Sequence, residues 1–138
     1  MLKRIQSAGQ WAFLRVEGGF NRLFGDRANP LHYLGALSYW MFFLVLASGF
    51  YIYAFYETGI DKTYASVEAL THGQWYAGGV MRSLHRYASD AMVLTMLLHL
   101  TRHFMFDRYR GFRAFSWITG VVLLWAIYAS GVNGYMLP

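Results

Sequence analysis

Three stretches are apolar over lengths found nowhere else in the chain: about 33–55, "YLGALSYWMFFLVLASGFYIYAF", about 80–106, and about 114–136, "AFSWITGVVLLWAIYASGVNGYM". A bilayer core of about 30 Å takes roughly 20 apolar residues in a helix, so each is long enough to cross. The pattern predicts an all-α integral membrane protein with three transmembrane helices. Ahead of them Ile5, Ala8, Trp11, Ala12, Val16 and Phe20 fall near helical spacing, with Lys3, Arg4 and Arg15 alongside. That arrangement predicts an amphipathic helix on the membrane surface within residues 1–29. Gly18 and Gly19 are expected to interrupt it, and Asn29-Pro30 to mark the turn into the first span; an irregular basic leader is the plainer alternative. No continuous apolar core of signal-peptide type stands at the N-terminus. With no internal repeat, residues 1–138 form one membrane domain.

Composition supports the membrane reading, since only 14% of the residues are charged while 57% are hydrophobic. Soluble domains are usually about 25% charged. The net charge of +5 is unevenly distributed. Lys3, Arg4, Arg15, Arg22 and Arg27 precede the first span, and Arg108, Arg110 and Arg113 follow the second. The connection between these spans holds Glu57, Asp61 and Glu68 against Lys62 alone. By the positive-inside rule the N-terminus and second connection face the cytoplasm and the acidic loop lies outside; a bacterial cytoplasmic membrane is the expected location. Because the basic residues flank apolar spans, a nucleic-acid partner is a poor explanation for the charge. The chain has no cysteine, which excludes disulfides, thiolate metal sites and thioether attachment of haem through these residues.

The middle stretch differs from the other two. "RSLHRYASDAMVLTMLLHLTRHF", Arg82–Phe104, carries three histidines, three arginines and an aspartate. Ionisable groups at membrane depth cost roughly 2.5–3.5 kcal/mol each on insertion scales, so they usually face a cavity or a partner. His85 and His99 are 14 residues apart, roughly 21 Å along a helix and within about 40° of the same face. Two imidazoles on one side, one near each membrane edge, suit two metal centres stacked across the bilayer. Without cysteine, haem iron is the metal that fits best. A pair of hydrogen-bonded core histidines is the simpler alternative.

Glycine spacing favours haem. Gly35 and Gly49 in the first span, and Gly120 and Gly134 in the third, repeat the same 14-residue interval. Small residues commonly let membrane helices pack closely, but that does not explain one interval shared by three helices. A flat macrocycle at each of two levels does. His103 is 18 residues from His85, an interval no glycine pair matches, so His99 is the expected ligand and His103 a bystander. Arg82 and Arg102 each lie three residues outward of a histidine, where a guanidinium fork is expected to meet haem propionates. Ordinary snorkelling at the span ends is the alternative for each.

These residues resemble the N-terminal half of cytochrome b, more closely its chloroplast-type b/b6 branch. "RSLHR" followed by "LLHLTR" is similar to the family's second-helix haem motif, "WITGVVLL" and "GVNGYMLP" to its third helix, and "YLG" with "ASG" to its first. The resemblance covers about residues 30–138. It implies that the three spans form part of a four-helix bundle holding two haem b groups. His85 would ligate the outer haem iron and His99 the cytoplasmic-side one. Arg82 and Arg102 would meet propionates, Gly35, Gly49, Gly120 and Gly134 would give the rings room, and Tyr135 would lie near an outer quinol-oxidising pocket.

Three departures accompany the resemblance. Tyr33 stands where the branch with an extra covalent haem has cysteine, so attachment in that way is excluded. Asp90 occupies a usually small or apolar position, about 140° around the helix from His85, and is expected to pair with Arg86 at i,i+4. The sequence stops before the family's fourth helix, and His32 and His72 are badly placed to supply the opposite axial ligands. The expectation is therefore the N-terminal fragment of a split cytochrome b, its fourth helix supplied by a second cytochrome b chain. The resemblance further implies a multi-subunit, dimeric bc-type complex of quinol–cytochrome c oxidoreductase type. Quinol/quinone would be its substrate couple, and a Rieske iron–sulfur protein, a c-type cytochrome and membrane lipid its partners. A haem b membrane anchor of a quinone-linked dehydrogenase and a haem-free structural subunit are the other classes these residues allow.

Overall fold

The computed structural model describes residues 1–59 and 61–136. Five α-helices follow one another: α1 (Leu2–Phe24), α2 (Leu34–Phe55), α3 (Thr63–Glu68), α4 (Val80–Met105) and α5 (Ala114–Met136). Short 3₁₀ turns at Pro30–Tyr33 and Gly111–Arg113 lead into α2 and α5, and two π-helical turns, Ala69–Gly73 and Trp75–Gly79, lead into α4. No strand occurs among the described residues. Leu137 and Pro138, the end of the "GVNGYMLP" motif, lie outside the described residues.

Helix α4 is the hub: α1, α2 and α5 all pack on it, α2 most extensively. Its long contact with α2 is antiparallel, and Ser38 donates to Thr95 Oγ1 at 3.0 Å midway along the seam. Leu34, Ala88, Met92 and Leu100 are the buried apolar residues of this seam and its ends. The helices are otherwise inside-out for a water-soluble protein. Phe42, Phe43, Phe50 and Tyr53 on α2, and Phe115, Ile118, Val122 and Trp125 on α5, are all exposed. Apolar surface of this extent belongs against lipid or other helices.

Two stretches, Pro30–Phe55 and Gly111–Met136, are long and apolar enough to cross a membrane, each with a mean hydropathy of 1.6. Helix α4, expected as the middle span, has 26 residues, about 39 Å at the usual rise. It is long enough but does not meet that apolar measure, because Arg82, Arg86, Asp90, Arg102 and three histidines break its hydropathy.

The N-terminal helix departs from expectation. Gly18 and Gly19 do not interrupt it; α1 runs through both to Phe24 and ends at Gly25, whose φ of 77° is a conformation glycine adopts without strain. Both interior glycines face open space, and the helix survives them because its other face is fastened to α4. Gln6, Gly9, Gln10, Phe13 and Glu17 share that face. Gln6 Nε2 donates to the Phe104 carbonyl at 3.1 Å and Gln10 Nε2 to the Met105 carbonyl at 2.7 Å. Those are among the last carbonyls of α4, which lack partners within their own helix. A Cβ on Gly9 would overlap the Met105 side chain as it stands, so α1 approaches the end of α4 closely here. Ile5, Val16 and Leu23 are left exposed, which is the apolar side expected of a surface-lying helix.

The turn after α4 closes with Asp107 in the left-handed region (φ 54°), the Arg108 amide bonding the His103 carbonyl at 2.9 Å. Such a residue just past the last turn is a common helix stop. It sends the chain back into α5 through a loop where Arg110 pairs with Asp107 at 2.7 Å.

Candidate functional site

The antiparallel register of α2 and α4 sets each candidate histidine against a glycine. At the level nearer the connection between α2 and α4, the His85 ring lies on Gly49, where an added Cβ would approach Cε1 to 3.1 Å. At the opposite level, His99 lies on Gly35, where a Cβ would approach Cε1 to 2.9 Å. Intervals equal in the two sequences thus become two levels in space.

His85 is the better defined. Its Nδ1 is 3.0 Å from the Val45 carbonyl and 3.1 Å from Ser48 Oγ. A carbonyl oxygen only accepts, so Nδ1 carries the proton and Nε2 is left with its lone pair. A second hydrogen bond of this kind, which fixes the tautomer and orients the ring, is what metal-ligating histidines typically have. Ser48 is fully buried and passes its own proton to the Leu44 carbonyl. Among the described residues His99 has no such bond. It is half-buried and lies tilted against His103, with ring centroids 4.5 Å apart and planes at 56°.

Helix α5 closes the other side of the His99 level. A Cβ on Gly120 would come within 3.0 Å of Leu100, and Trp117 Nε1 donates to the Leu100 carbonyl at 3.3 Å. Between these helices lies a cavity of about 200 Å³ lined by residues that include His99, His103, Arg108, Arg113 and Gly120. His103, a bystander by spacing, therefore shares the cavity with His99. Gly134, the remaining glycine of the pattern, has nothing within 4 Å.

The arginines have protein partners. Arg82 Nη1 donates to Thr71 Oγ1 at 2.8 Å in the connection before α4. Arg102 Nε pairs with Glu17 Oε1 at 2.7 Å, while its guanidinium lies 5.2 Å from the Phe106 ring centre. Asp90 is corrected: its near neighbour is Tyr135 on α5, whose hydroxyl donates to Oδ1 at 3.5 Å, and among the described residues no ion pair joins it to Arg86. Arg86 instead lies over the Tyr135 ring at 5.6 Å, so the phenol is shared by both groups. His32 is 3.9 Å from Glu17 Oε2, and His72 pairs with Glu68 at 3.4 Å in the connection before α4; neither is near His85 or His99 in the contacts described. Sequence spacing overlooked Val45 and Ser48, which orient His85, and Glu17, which holds Arg102. Only Ser48 had a signal, as the residue preceding the first-helix glycine.

Comparison with known proteins decides the family. The profile described as cytochrome b/b6/petB matches residues 22–138, most of the chain. This chain belongs to the cytochrome b/b6 family. Among its relatives are the cytochrome b6 proteins of Mesostigma viride, 32% identical, Tupiella akineta, 33%, and Emiliania huxleyi, 34%. Each match runs over 110 residues, 80% of this chain and 51% of the relative. The chain spans about half the length of the curated relatives it matches. Family membership accounts for the apolar exteriors of α2 and α5 as membrane-embedded surfaces, and it makes the haem fit of the two histidine levels a physical question. The residues present do fit. Each level offers an imidazole on a side-chain-free patch of α2, and at His85 the nitrogen opposite the bonded one is left to bind.

Proposed function

We propose that the chain is the part of a di-haem cytochrome b that carries electrons across the membrane between quinol and quinone sites of a bc-type complex. One observation carries this reading: two histidines of one helix rest on two glycines of its neighbour at two levels, with the Nδ1 of His85 anchored on Val45. In it α4 crosses the membrane as a third span. Its cost in polar groups is offset because His85 and His99 turn toward α2 and haem rather than lipid. The N-terminus and the Asp107–Arg113 turn face the cytoplasm, following the basic residues there.

His85 would hold the outer haem and His99 the inner one. Gly35, Gly49 and Gly120 keep side chains off the rings, and Gly134, open in this chain, would do so at the outer level. Arg82 and the free end of the Arg102 fork are placed one turn outward, where propionates would meet them. Haem iron with protein ligands on both faces supplies one-electron transfer rather than oxygen binding. These residues bring one histidine per level, so the opposite ligands come from a further helix. Tyr135, with Asp90 and Arg86 around it, is assigned to the outer quinol pocket. A Rieske-type protein, a c-type cytochrome and a dimeric assembly are the partners this reading expects.

The test is the purified complex. It should show two b-type haems and contain a helix with two histidines roughly 13–15 residues apart, near four helical turns. His85→Ala and His99→Ala should each remove one haem signal. Survival of both signals in either variant refutes the ligand assignment. Two haems without a Rieske centre would instead make the chain a haem b anchor of a quinone-linked dehydrogenase.

A further inference from the structure

Glu17 is the most deeply buried carboxylate described, 6% exposed, on a helix whose other buried side chain is Gln6. Burying a carboxylate is costly unless it is paired. Its partner is Arg102: Nε to Oε1 at 2.7 Å, with side-chain exposures of 16% and 8%. The pair is assembled deliberately from both ends. The Gln6 and Gln10 amides dock α1 on the last carbonyls of α4, and Asn29 Nδ2 bonds the Glu17 carbonyl at 3.2 Å and Asn21 Oδ1 at 2.6 Å. Among the described residues, the other ion-pairing group at the carboxylate is His32, 3.9 Å from Oε2. Arg102 follows His99 by one turn of α4.

We infer that Glu17 is a positioning residue of the inner redox site: it aims Arg102 and cancels its charge one helical turn from His99. This rests on the haem reading of His99. The geometry explains both halves of the role. Glu17 takes the Nε edge of the guanidinium, so of its five N–H donors the four at the terminal nitrogens remain for another anion. The Phe106 ring, 5.2 Å away, limits where that fork can turn. Electrostatically, Arg102 unpaired would stabilise the reduced, less positive state of a nearby iron. Paired, its field is largely that of a dipole. At an effective dielectric near 20, an unpaired unit charge about 12 Å from the iron shifts a one-electron equilibrium by roughly tenfold, about 59 mV. Glu17 therefore holds the inner centre at a lower potential than its arginine alone would give.

The experiment is a spectroscopic redox titration of the intact complex carrying Glu17→Gln, Glu17→Asp, Arg102→Gln or Glu17→Gln with Arg102→Gln. Glu17→Gln should raise the potential of the haem lost in His99→Ala by about tenfold in reduced-to-oxidised ratio, leaving the other haem unmoved. Glu17→Asp keeps the carboxylate and should stay close to the parent potential, and the double variant should also return close to the parent, since both charges are gone. If Glu17→Gln loses the inner haem, retention in the double variant still identifies unpaired Arg102 as the cause. An unmoved inner potential, equal shifts at both haems, or loss of the inner haem in the double variant as well overturns the inference. A parent complex without an inner b-type signal overturns the haem reading and this inference together, which sets that failure apart from an unmoved potential.

Discussion

A methyl group placed on Gly35 is driven into the His99 ring. Its Cβ would stand 2.9 Å from Cε1 and 3.3 Å from both ring nitrogens. Restoring an ordinary 3.4 Å approach moves the ring by about 0.5 Å. On Gly49 the corresponding approach is 3.1 Å, a displacement of about 0.3 Å. Overpacking of this kind typically costs about 1–3 kcal/mol, roughly 5- to 150-fold in the population of the original arrangement. The two positions should respond differently. His85 is tied to Val45 at 3.0 Å, so Gly49→Ala must stretch a hydrogen bond worth about 1 kcal/mol or shift the helices. His99 has no such tether among the described residues, and its ring swings away at little cost. Gly35→Ala should therefore deplete the inner haem strongly, while Gly49→Ala leaves the outer haem bound but broadened or shifted in potential. Low-temperature difference spectra and a two-component redox titration of membranes carrying each variant resolve the levels. Depletion of the outer haem by Gly35→Ala, or an unchanged spectrum in both variants, refutes the pairing of glycines with histidines.

Other expectations follow from the same contacts. Gly134→Ala adds a Cβ that meets no neighbour within 4 Å in this chain; if the glycine makes room for a ring, the variant assembles but loses outer haem, and a normal haem content assigns Gly134 no such role. Gln6→Ala with Gln10→Ala removes both amides from the end of α4, about 1 kcal/mol each. Hydrogen exchange across residues 2–24 should then rise at least severalfold, and unchanged protection would show that the amides do not hold α1. Asp90→Asn keeps an acceptor for Tyr135 and should leave both haem spectra intact, as a group about 140° from His85 around the helix should; a changed outer spectrum would place Asp90 against that haem.

Much of the architecture is legible along the chain because it depends on one helix at a time. Apolar runs of bilayer length and the 14-residue intervals are properties of single helices with a known period, and the family resemblance rests on the same residues. The limits of α2, α4 and α5 follow from the apolar runs, within a residue or two. Where one residue's fate depends on another helix, the sequence misleads. Gly18 and Gly19 argue for a break, yet α1 continues because Gln6, Gln10 and Glu17 fasten its opposite face to α4. Asp90 and Arg86 are four apart and ought to pair, but Tyr135 comes between them from α5.

Periodicity places groups on a face without saying what that face meets. Sequence alone determined that two histidines and two glycine pairs share a 14-residue spacing, with an arginine three residues outward of each histidine, and that the chain belongs in a membrane. Only the tertiary structure decided that Gly35 meets His99 and Gly49 meets His85, since that depends on the direction and register in which α2 lies on α4. It also decided that a carboxylate in an apparently solvated amphipathic segment is buried against Arg102. A charge in a surface-like pattern reads as exposed until a partner 85 residues away neutralises it, and no local rule carries that distance.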